Sequence, residues 1–439
     1  MKEFDVLVIG GGIAGMEASL NLADMGFKVC LVEKEPSIGG KMFLLSKTFP
    51  TLDCASCICT PKMAATAHHP NITLLTYSEV REIVKKGEGE FEVKILKKPR
   101  YVDESACTGC GLCEKACPVI VPHAYDFGLR GRKAAYIPFD TAVPKIAVIE
   151  LENCIFCGAC ERICPPKAVN FLQEPEVMEV KVGAIILATG FKLFPAELKK
   201  DYHFGEYKNV ITSMQMERLL APTRPYNAVL RPSDGKVPYN IAYVLCTGSR
   251  DRTVGNPLCS QICCMYSIKQ AQLIMGAVPL ADITIYYMDI RAFGKGFEEF
   301  YKQAVDMGVR FVKGRVAKIE EKEDGNLILK YEDIDNGGRL VEAEHDLVVL
   351  AVGLLPNNEE VVKIFKNEKL ELDEYGWIKQ VNENTNPTMT SIRGVFAAGC
   401  ATGPKDIPDS IAEAAAAATQ CASYLSEVRG KLIKAEVKA

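Results

Sequence analysis

Two cysteine-rich runs constrain this chain more than any other feature of its sequence. Each run has the form CxxCxxCxxxCP, and the ligand candidates are Cys107, Cys110, Cys113 and Cys117 in the first, and Cys154, Cys157, Cys160 and Cys164 in the second. In this pattern three closely spaced thiolates bind one 4Fe-4S cluster, while the fourth cysteine reaches the other cluster. The rule assigns Cys107, Cys110, Cys113 and Cys164 to one cluster, and Cys154, Cys157, Cys160 and Cys117 to the second. The spacing therefore predicts a protein that transfers electrons.

Zinc and disulfides are the alternatives for clustered cysteines. A zinc ribbon places two CxxC pairs on separate knuckles, whereas each run here has four cysteines followed by proline. Disulfides are disfavoured because the sequence shows no signal peptide, and because 18 cysteines gathered at ligand spacing are typical of a reducing compartment. We therefore expect a cytoplasmic protein.

Length and composition exclude several functional classes. With 439 residues, 48% of them hydrophobic, the chain has room for two or three domains with sizeable cores. A formal net charge of -4 offers no general basic surface for nucleic acid. The sequence contains no run of 18 apolar residues, so we expect no membrane span. Residues 431–439 are expected to form a frayed, solvated tail.

The first 34 residues predict a dinucleotide site. A β-branched run leads into Gly10, Gly12 and Gly15 at GxGxxG spacing, and a helical pattern follows. These glycines permit a tight turn, close approach of a pyrophosphate and close helix packing, with the helix N-terminus facing the anion. Glu33 ends the second strand, where its carboxylate can accept a hydrogen bond from a ribose hydroxyl. The predicted contacts in this part are Gly10, Gly12, Ile13, Ala14, Gly15, Glu33 and Lys34.

Downstream segments favour FAD over NAD. Buried strands are predicted at 183–190 and 346–353, and a third, at 394–399, leads into an alanine-rich helix at about 411–425. This order resembles the two-dinucleotide-domain flavoproteins of the thioredoxin reductase type, in which the late strand-to-helix turn touches the flavin. The resemblance implies further flavin contacts at Gly40, Lys41, Met42, Thr189, Gly190, Gly399, Cys400 and Ile407. Cys400 replaces the aspartate of that family, so the ribityl hydrogen bond has to come from elsewhere or from the backbone.

A second glycine fingerprint, which would bind NADPH, is missing after the strand at 241–246. Only Gly248 remains of its three glycines, and cysteines occupy the region instead: Cys246, Cys259, Cys263 and Cys264. Four thiolates within nineteen residues can ligate another 4Fe-4S cluster, although Cx12Cx3CC is not a standard ferredoxin spacing. Buried, inert cysteines are an equally good interpretation of the spacing alone.

A third cysteine group lies at Cys54, Cys57 and Cys59, after a segment that normally covers the flavin in such proteins. Three thiols lack a fourth ligand. They can be redox-active beside the flavin, share a cluster with a partner chain, or pack in the core.

Taken together, these motifs resemble the A-type subunits of heterodisulfide reductases. The resemblance covers nearly the whole chain and rests on GGGIAGMEASLNLA (10–23), DCASCxxTPKM (53–63), CxGSRD (246–251), CSQICCMYSIKQA (259–271), YYMDIRAFGKGFEEFY (286–301) and AGCATGPKDIPDSI (398–411). It implies that Cys246, Cys259, Cys263 and Cys264 hold a 4Fe-4S cluster close to the FAD, and that Lys269 lies near the flavin face. Longer members carry an extra N-terminal domain and a C-terminal ferredoxin domain, so Cys54 and Cys57 are expected to be either free or completed by a partner. The candidate catalytic residues are Lys269, Cys54 and Cys57.

The expected fold is α/β, with two Rossmann-like units of the thioredoxin reductase type and an inserted two-cluster ferredoxin domain. The predicted boundaries are 1–100 for the first part of the FAD domain, 101–173 for the ferredoxin insert, 174–237 for the second part and a proline-rich linker, 238–356 for the second Rossmann-like domain, and 357–439 for the last part of the FAD domain.

The resemblance implies flavin-based electron bifurcation between a two-electron donor, ferredoxin and a disulfide or other high-potential acceptor. It also implies partners: B- and C-type heterodisulfide reductase subunits, an input subunit linked to a hydrogenase or formate dehydrogenase, ferredoxin, and a second copy of this chain in a homodimer. Two other functions fit the same motifs. One is an NAD(P)H-dependent oxidoreductase of the glutamate synthase small-subunit type, and the other is a relay subunit that does not bifurcate.

Overall fold

The structure is a computed structural model that describes residues 1–436, with side chains described through residue 430. The helices are α1 Ile13–Asp24, α2 Ala55–His68, α3 Leu112–Ala116, α4 Ala159–Ile163, α5 Ser213–Leu220, α6 Cys263–Ala277, α7 Phe297–Asp306, α8 Glu359–Ile364 and α9 Ile407–Glu436. The strands are β1 Lys2–Ile9, β2 Val29–Val32, β3 Ile72–Leu75, β4 Ser78–Gly87, β5 Glu90–Lys97, β6 Ile120–Pro122, β7 Gly131–Lys133, β8 Ala135–Tyr136, β9 Val148–Ile149, β10 Glu176–Leu187, β11 Phe191–Leu193, β12 Val210–Thr212, β13 Asn240–Thr247, β14 Asp282–Tyr287, β15 Arg310–Glu321, β16 Leu327–Asp333, β17 Arg339–His345, β18 Leu347–Val352, β19 Leu354–Pro356 and β20 Val395–Ala397.

The first sheet has the order β3-β2-β1-β10-β5-β4, and β20 also pairs with β10. Strands β3, β2, β1, β10 and β20 run parallel, whereas β5 and β4 continue the sheet antiparallel. Val6, Leu7 and Val8 of β1 are fully buried, because helices and loops cover both faces of a parallel sheet. Helices α1 and α9 pack together on one face. The carboxyl ends of β1, β2 and β10 therefore meet at one edge of this sheet, where ligands bind in such folds.

The second sheet has the order β12-β18-β13-β14-β15-β16-β17. Its parallel part, from β12 to β15, is covered by α5, α6 and α7. Strand β18 is fully apolar and nearly inaccessible to solvent, as expected for a central parallel strand. The short antiparallel pair β11-β19 connects this unit to the end of β10.

The ferredoxin insert separates β5 from β10. It contains two short hairpins, β6-β7 and β8-β9, and the two short helices α3 and α4, which pack against each other. Its small core contains cysteines of both runs. The insert is therefore built around its cysteines rather than around a large apolar core.

Two segments differ from the sequence-based expectations. Helix α9 begins at Ile407 rather than at about 411, because Pro408 occupies its first turn and the Asp406 carboxylate accepts a hydrogen bond from the Asp409 N–H at 2.9 Å. The backbone of the predicted frayed tail is helical to Glu436, and residues 437–439 lie outside the described part of the chain.

The proline-rich stretch expected to be an irregular linker contains β12 and α5. Helix α5 forms because the Thr212 and Gln215 side chains close a capping box at its N-terminus. In residues 1–436 no helix is both long and apolar enough to span a bilayer. The domain boundaries given above stay predictions.

Candidate functional site

The turn after β1 has the shape of a phosphate cradle. A Cβ atom at Gly15 would lie 1.8 Å from the Gly10 carbonyl oxygen, so only glycine allows α1 to pack this close to the strand. A Cβ atom at Gly12, in contrast, would have only the Cα atom of Gly40 within 4.0 Å. Helix α1 begins there without a capping side chain and without an acidic residue in its first turn. Its first N–H groups are therefore open to an anion.

Glu33, for which a ribose contact is predicted, directly follows β2. It is 7% exposed. Its carboxylate accepts hydrogen bonds from the Gly11 N–H at 2.6 Å and the Glu35 N–H at 2.9 Å. Burial raises the pKa of Glu33, while these two N–H groups oppose that rise. Lys34, which follows, is exposed.

The predicted covering loop lies against this cradle. The Gly39 N–H donates to the Gly11 carbonyl at 2.9 Å, which holds residues 39–42 over the glycine turn. Lys41 reaches across the cradle, and its ammonium group donates to the Phe191 carbonyl at 2.6 Å. Burial lowers the pKa of Lys41. Met42 and Ile407 pack in one apolar cluster at the same place.

Asn358 is a central residue of the cradle that the sequence analysis did not identify. Its fully buried side chain accepts from the Thr189 hydroxyl at 3.2 Å and donates to the carbonyls of Gly376 and Ala401 at 3.2 and 3.0 Å. It thereby joins the turn after β10, the 376 loop and the late flavin turn. The sequence feature that could have indicated this role is the PNN sequence at 356–358, after a buried strand.

The late turn, Gly399–Ala401, contacts the start of α1. A Cβ atom at Gly399, where φ is +67°, would lie 2.8 Å from the Ala14 Cβ atom, so the site needs glycine. The Gly399 N–H donates to the Glu413 carboxylate at 2.7 Å, and Lys405 pairs with the same carboxylate at 2.7 Å. Cys400 is buried and contacts the Lys405 carbonyl. Its thiol is thus placed in the turn that holds an aspartate in the related flavoproteins.

These features fit FAD. The open space at Gly12, the uncapped N-terminus of α1 and the buried carboxylate of Glu33 match a pyrophosphate and a ribose in order along the cradle. The predicted contacts from residues 10–15, 33, 40–42, 189–190, 399–400 and 407 are brought together around it. Lys34 stands at the solvent-exposed rim.

In the ferredoxin insert, one pocket is lined by cysteines of both runs. Cys107, Cys110 and Cys113 of the first run and Cys164 of the second line this pocket together. This is the crosswise set expected for one 4Fe-4S cluster. The remaining walls are mainly apolar residues and glycines, so the pocket suits a cluster held by four thiolates.

The second set lies around α4. Burial raises the pKa of Cys160, the charges of Cys154 and Cys117, both of this set, contribute to the rise, and Cys157 is exposed. Among the described residues no three or more His, Cys, Asp or Glu side chains are arranged to hold a single metal ion.

Cys246, Cys259, Cys263 and Cys264 also lie near one another, at the end of β13 and the start of α6. The Cys263 thiol has the other three among its electrostatic neighbours, and Cys246 has Cys264 and Cys259 among its own. Burial raises the pKa of Cys246 to about 12, so a bound cation is needed to keep this thiol ionised. The four residues fit a third cluster site by position and chemistry.

Cys54 and Cys57 are joined in a disulfide, which differs from the expectation that they are free or completed by a partner. The reason is local. Cys54 caps α2 and Cys57 lies in its first turn, which brings their Cα atoms to 5.2 Å. Cys57 is exposed, whereas Cys59 is fully buried, with its thiol facing the Gly39 carbonyl.

Lys269, expected near the flavin face, is buried in an ion pair. Its ammonium group lies 2.5 Å from the Glu217 carboxylate and donates to the Lys47 carbonyl at 2.8 Å. Glu217 also accepts from the N–H and the hydroxyl of Ser46 at 2.8 and 2.7 Å. The pair thus ties α5 and α6 to the segment that leads from the flavin cradle to Cys54. No local sequence pattern marks Glu217.

Three family descriptions match parts of this chain. Residues 155–420 match the pyridine nucleotide-disulphide oxidoreductase family, residues 100–165 match the 4Fe-4S dicluster domain, and residues 5–51 match the FAD dependent oxidoreductase family. These matches confirm FAD and 4Fe-4S clusters as the cofactors and an oxidoreductase as the class of enzyme.

Several curated proteins are similar over almost the whole chain. The A-type iron-sulfur protein of the CoB-CoM heterodisulfide reductase of Methanocaldococcus jannaschii is 49% identical over 98% of this chain and 66% of its own length. A protein of the same type from Methanopyrus kandleri is 51% identical, with the same coverage. The A-type protein of the Ferredoxin:CoB-CoM heterodisulfide reductase of Methanosarcina mazei is 44% identical over 97% of this chain and 53% of its own length. The chain thus spans about two thirds or less of these relatives.

Solved structures show the same fold at low sequence identity. Thioredoxin reductase of T. acidophilum has a TM-score of 0.54 at 17% identity, covering 98% of this chain and 100% of that structure. The Lactococcus lactis enzyme has a TM-score of 0.54 at 15% identity, with 97% and 99% covered. The expected thioredoxin-reductase-type architecture with a ferredoxin insert is therefore confirmed.

Proposed function

This chain belongs to the pyridine nucleotide-disulphide oxidoreductase family and, within it, to the A-type heterodisulfide reductase proteins, and from that premise we propose that it transfers electrons between FAD and 4Fe-4S clusters within a larger reductase complex. The observation that carries the proposal is the pocket lined by Cys107, Cys110, Cys113 and Cys164, in the same chain as a flavin cradle. With both cofactor sites in one chain, the protein can convert between two-electron and one-electron transfer. FAD exchanges electrons in pairs or singly, whereas each cluster exchanges one.

The binding roles follow the geometry. The turn at 10–15 and the start of α1 bind the pyrophosphate, Glu33 binds the ribose, and Lys41, Met42, Thr189, Gly190, Gly399, Cys400 and Ile407 surround the rest of FAD. In the insert, the two crosswise sets of four cysteines each hold one cluster. Cys246, Cys259, Cys263 and Cys264 hold a third, which the apolar contact of Leu258 and Ile262, the chain neighbours of Cys259 and Cys263, with Cys400 of the flavin turn supports.

The proposal includes bifurcation. Electron pairs arrive from a donor linked to a hydrogenase or formate dehydrogenase; one electron of each pair leaves toward a disulfide or other high-potential acceptor, and the other leaves toward ferredoxin. The disulfide chemistry belongs to a B-type partner protein, a C-type protein is a further partner, and two copies of this chain assemble in the complex. The setting is a reducing cytoplasm, because cysteines bind iron only while they are not oxidised to disulfides.

Three residues have proposed catalytic roles. Cys54 and Cys57 would exchange between disulfide and dithiol, with two electrons supplied by reduced FAD and two protons by water, and their bond and the exposure of Cys57 support this role. Lys269 acts near the flavin face. In the described state, however, its ammonium group is engaged with Glu217, so this role requires the ion pair to open.

An ion pair weighs against NAD(P)H as the donor. Arg250 and Asp289 join at 2.6 Å across the carboxyl ends of β13 and β14, where a nicotinamide dinucleotide lies in the related fold. Anaerobic mixing of the purified protein with NADH and with NADPH provides the test. We expect the flavin absorbance to persist in both, and rapid bleaching by either would favour the NAD(P)H-dependent oxidoreductase.

Iron and acceptor measurements test the rest. Protein purified without oxygen is expected to contain one FAD and about twelve irons per chain, four for each of three clusters. A content of about eight irons would remove the third cluster. In the intact complex, ferredoxin reduction that depends on simultaneous reduction of a high-potential acceptor would support bifurcation, and its absence would make the chain a simple relay.

A further inference from the structure

A small apolar cluster joins the flavin turn to the cysteines of α6. We call it the Trp377 cluster. Its members are Phe191, Leu258, Ile262, Leu354, Trp377 and Cys400. Trp377 is the only tryptophan in the chain, and it is 2% exposed.

The members of the cluster come from two functional neighbourhoods. Cys400 belongs to the late flavin turn, and Phe191 directly follows the Thr189–Gly190 turn of the cradle. Leu258 and Ile262, in contrast, are chain neighbours of Cys259 and Cys263. The side chains of these two groups meet around Trp377 and Leu354, and the Cys400 thiol is the one ionisable group among the members of the cluster.

Hydrogen bonds hold Trp377 in place. Its backbone N–H donates to the Asp373 carboxylate at 2.8 Å, and its carbonyl accepts from the Asp373 N–H at 2.8 Å. The next N–H, of Ile378, donates to the Ala401 carbonyl at 3.1 Å. These hydrogen bonds fix the position of Trp377 relative to the late flavin turn.

A different apolar contact lies between the cradle and the ferredoxin insert. Phe43, just after the covering loop, stacks on Phe139 of the insert with ring centroids 4.1 Å apart. Met42 and Tyr125 belong to the same contact. The cradle thus has one apolar contact with the insert and a second, the Trp377 cluster, with the segment that leads into α6.

We propose that the Trp377 cluster is the electron-transfer contact between the flavin site and the cysteine set at Cys246, Cys259, Cys263 and Cys264, with Trp377 as a positioning residue that keeps this contact dry and fixed. One electron crosses at a time, and no bond forms or breaks in the contact. Close packing fixes the separation of the two sites, and the exclusion of water lowers the local dielectric that sets their potentials. The inference rests on the proposed function.

The test compares W377L with F139L, a matched aromatic-to-leucine change at the other contact. Both are made in the full chain within its complex, and FAD and iron contents are measured first. The flavin is then reduced by light, and freeze-quenched EPR follows the appearance of each reduced cluster. We expect W377L to retain FAD and iron, to slow the reduction of the α6 cluster severalfold and to shift its potential, while reduction of the insert clusters stays unchanged. F139L is expected to show the opposite pattern.

An unchanged α6 rate in W377L with intact cofactors would overturn the inference, as would equal slowing of all clusters. If W377L does not fold, the measurement is made on W377F, whose smaller ring leaves a gap in the contact; an unchanged rate there also counts against it. A wild-type sample without iron at the α6 cysteines would instead contradict the proposed function, whatever the variants show.

Discussion

Lys269 and Glu217 form an ion pair in which both side chains are almost completely buried, with 2.5 Å between the ammonium nitrogen and a carboxylate oxygen. Burial lowers the pKa of Lys269, and the Glu217 carboxylate offsets only part of this effect, so the net direction is downward. Two charges in such a place stabilise the fold only while both are present, because a single buried charge has lost its hydration without compensation. The pair therefore fixes the register between α5, α6 and the segment at 46–47.

Removal of either partner should destabilise the protein strongly. We expect K269M and E217Q each to lower the free energy of unfolding by about 3–5 kcal/mol, and the double variant to lose less than the sum. Denaturant titrations of the four proteins give this coupling energy. K302A, which breaks the exposed Lys302–Glu298 pair, is the control and should change little. Additive losses would show that the two side chains act independently.

Acid sensitivity is expected from His345. Its buried ring lies between the Tyr286 hydroxyl at 2.9 Å and the Asn240 side-chain oxygen at 2.7 Å. Burial, followed by the nearby charge of Arg310, lowers the pKa of His345 from 6.5 to about 4. Between these values the unfolded chain binds a proton that the folded chain does not.

The contribution of His345 to the free energy of unfolding should therefore be constant above pH 6.5 and fall as the pH drops from 6.5 toward 4. The loss amounts to about 3 kcal/mol for a shift of this size. Urea titrations at several pH values measure it, and H345Q should have a shallower pH dependence than the wild type. Parallel pH profiles in the two proteins would show that other groups cause the acid sensitivity.

The two cluster sets of the insert should be separable. C113S is expected to remove one cluster and leave FAD bound, because Cys113 lies in the insert, apart from the flavin cradle. C421A, at a buried cysteine of α9, is the control and should keep all iron. Iron and flavin analyses with EPR measure both. Loss of all iron, or of FAD, in C113S would mean that insert and cradle do not fold separately.

Alkylation can check the disulfide at α2. In the oxidised protein, Cys54 and Cys57 should not react with iodoacetamide; after reduction, Cys57 should react first because it is the more exposed. Cys59 is the internal control. It is fully buried, burial raises its pKa to about 12, and it should stay unmodified in both states. Peptide mass spectrometry locates the modified thiols, and modification of Cys57 without reductant would contradict the disulfide.

Asn358 should matter for flavin binding. N358A leaves a hydroxyl and two carbonyls of the cradle without their partner, which costs about 1–3 kcal/mol for a buried polar group. We expect FAD to dissociate severalfold faster, as measured by the recovery of flavin fluorescence. N367A changes an asparagine on the exposed surface, where it bonds to Lys85, and should leave dissociation unchanged. Equal rates in N358A and wild type would remove Asn358 from the cradle.

Local patterns were sufficient for the fold class and for the two types of cofactor, FAD and 4Fe-4S clusters. The glycine turn at 10–15 and the apolar strands at 183–190 and 346–353 predict their own conformations, because β-branched runs and glycine positions act over a few residues. The start of α9 and the whole of α5 were not predicted from the sequence. Both helices begin directly after a capping residue, Asp406 for α9 and Thr212 for α5, and nearby prolines make the sequence there look irregular.

The sequence by itself determined that this chain has a dinucleotide turn, two CxxCxxCxxxCP runs and no second glycine fingerprint, because each of these is a spacing within one segment. Only the tertiary structure decided that Glu217 meets Ser46, 171 residues away, that Asn358 joins Thr189, 169 residues away, and that Trp377 stands between the flavin turn and α6. Such meetings depend on how distant segments pack around shared cores, and no local periodicity records which buried polar or aromatic side chains will face each other there.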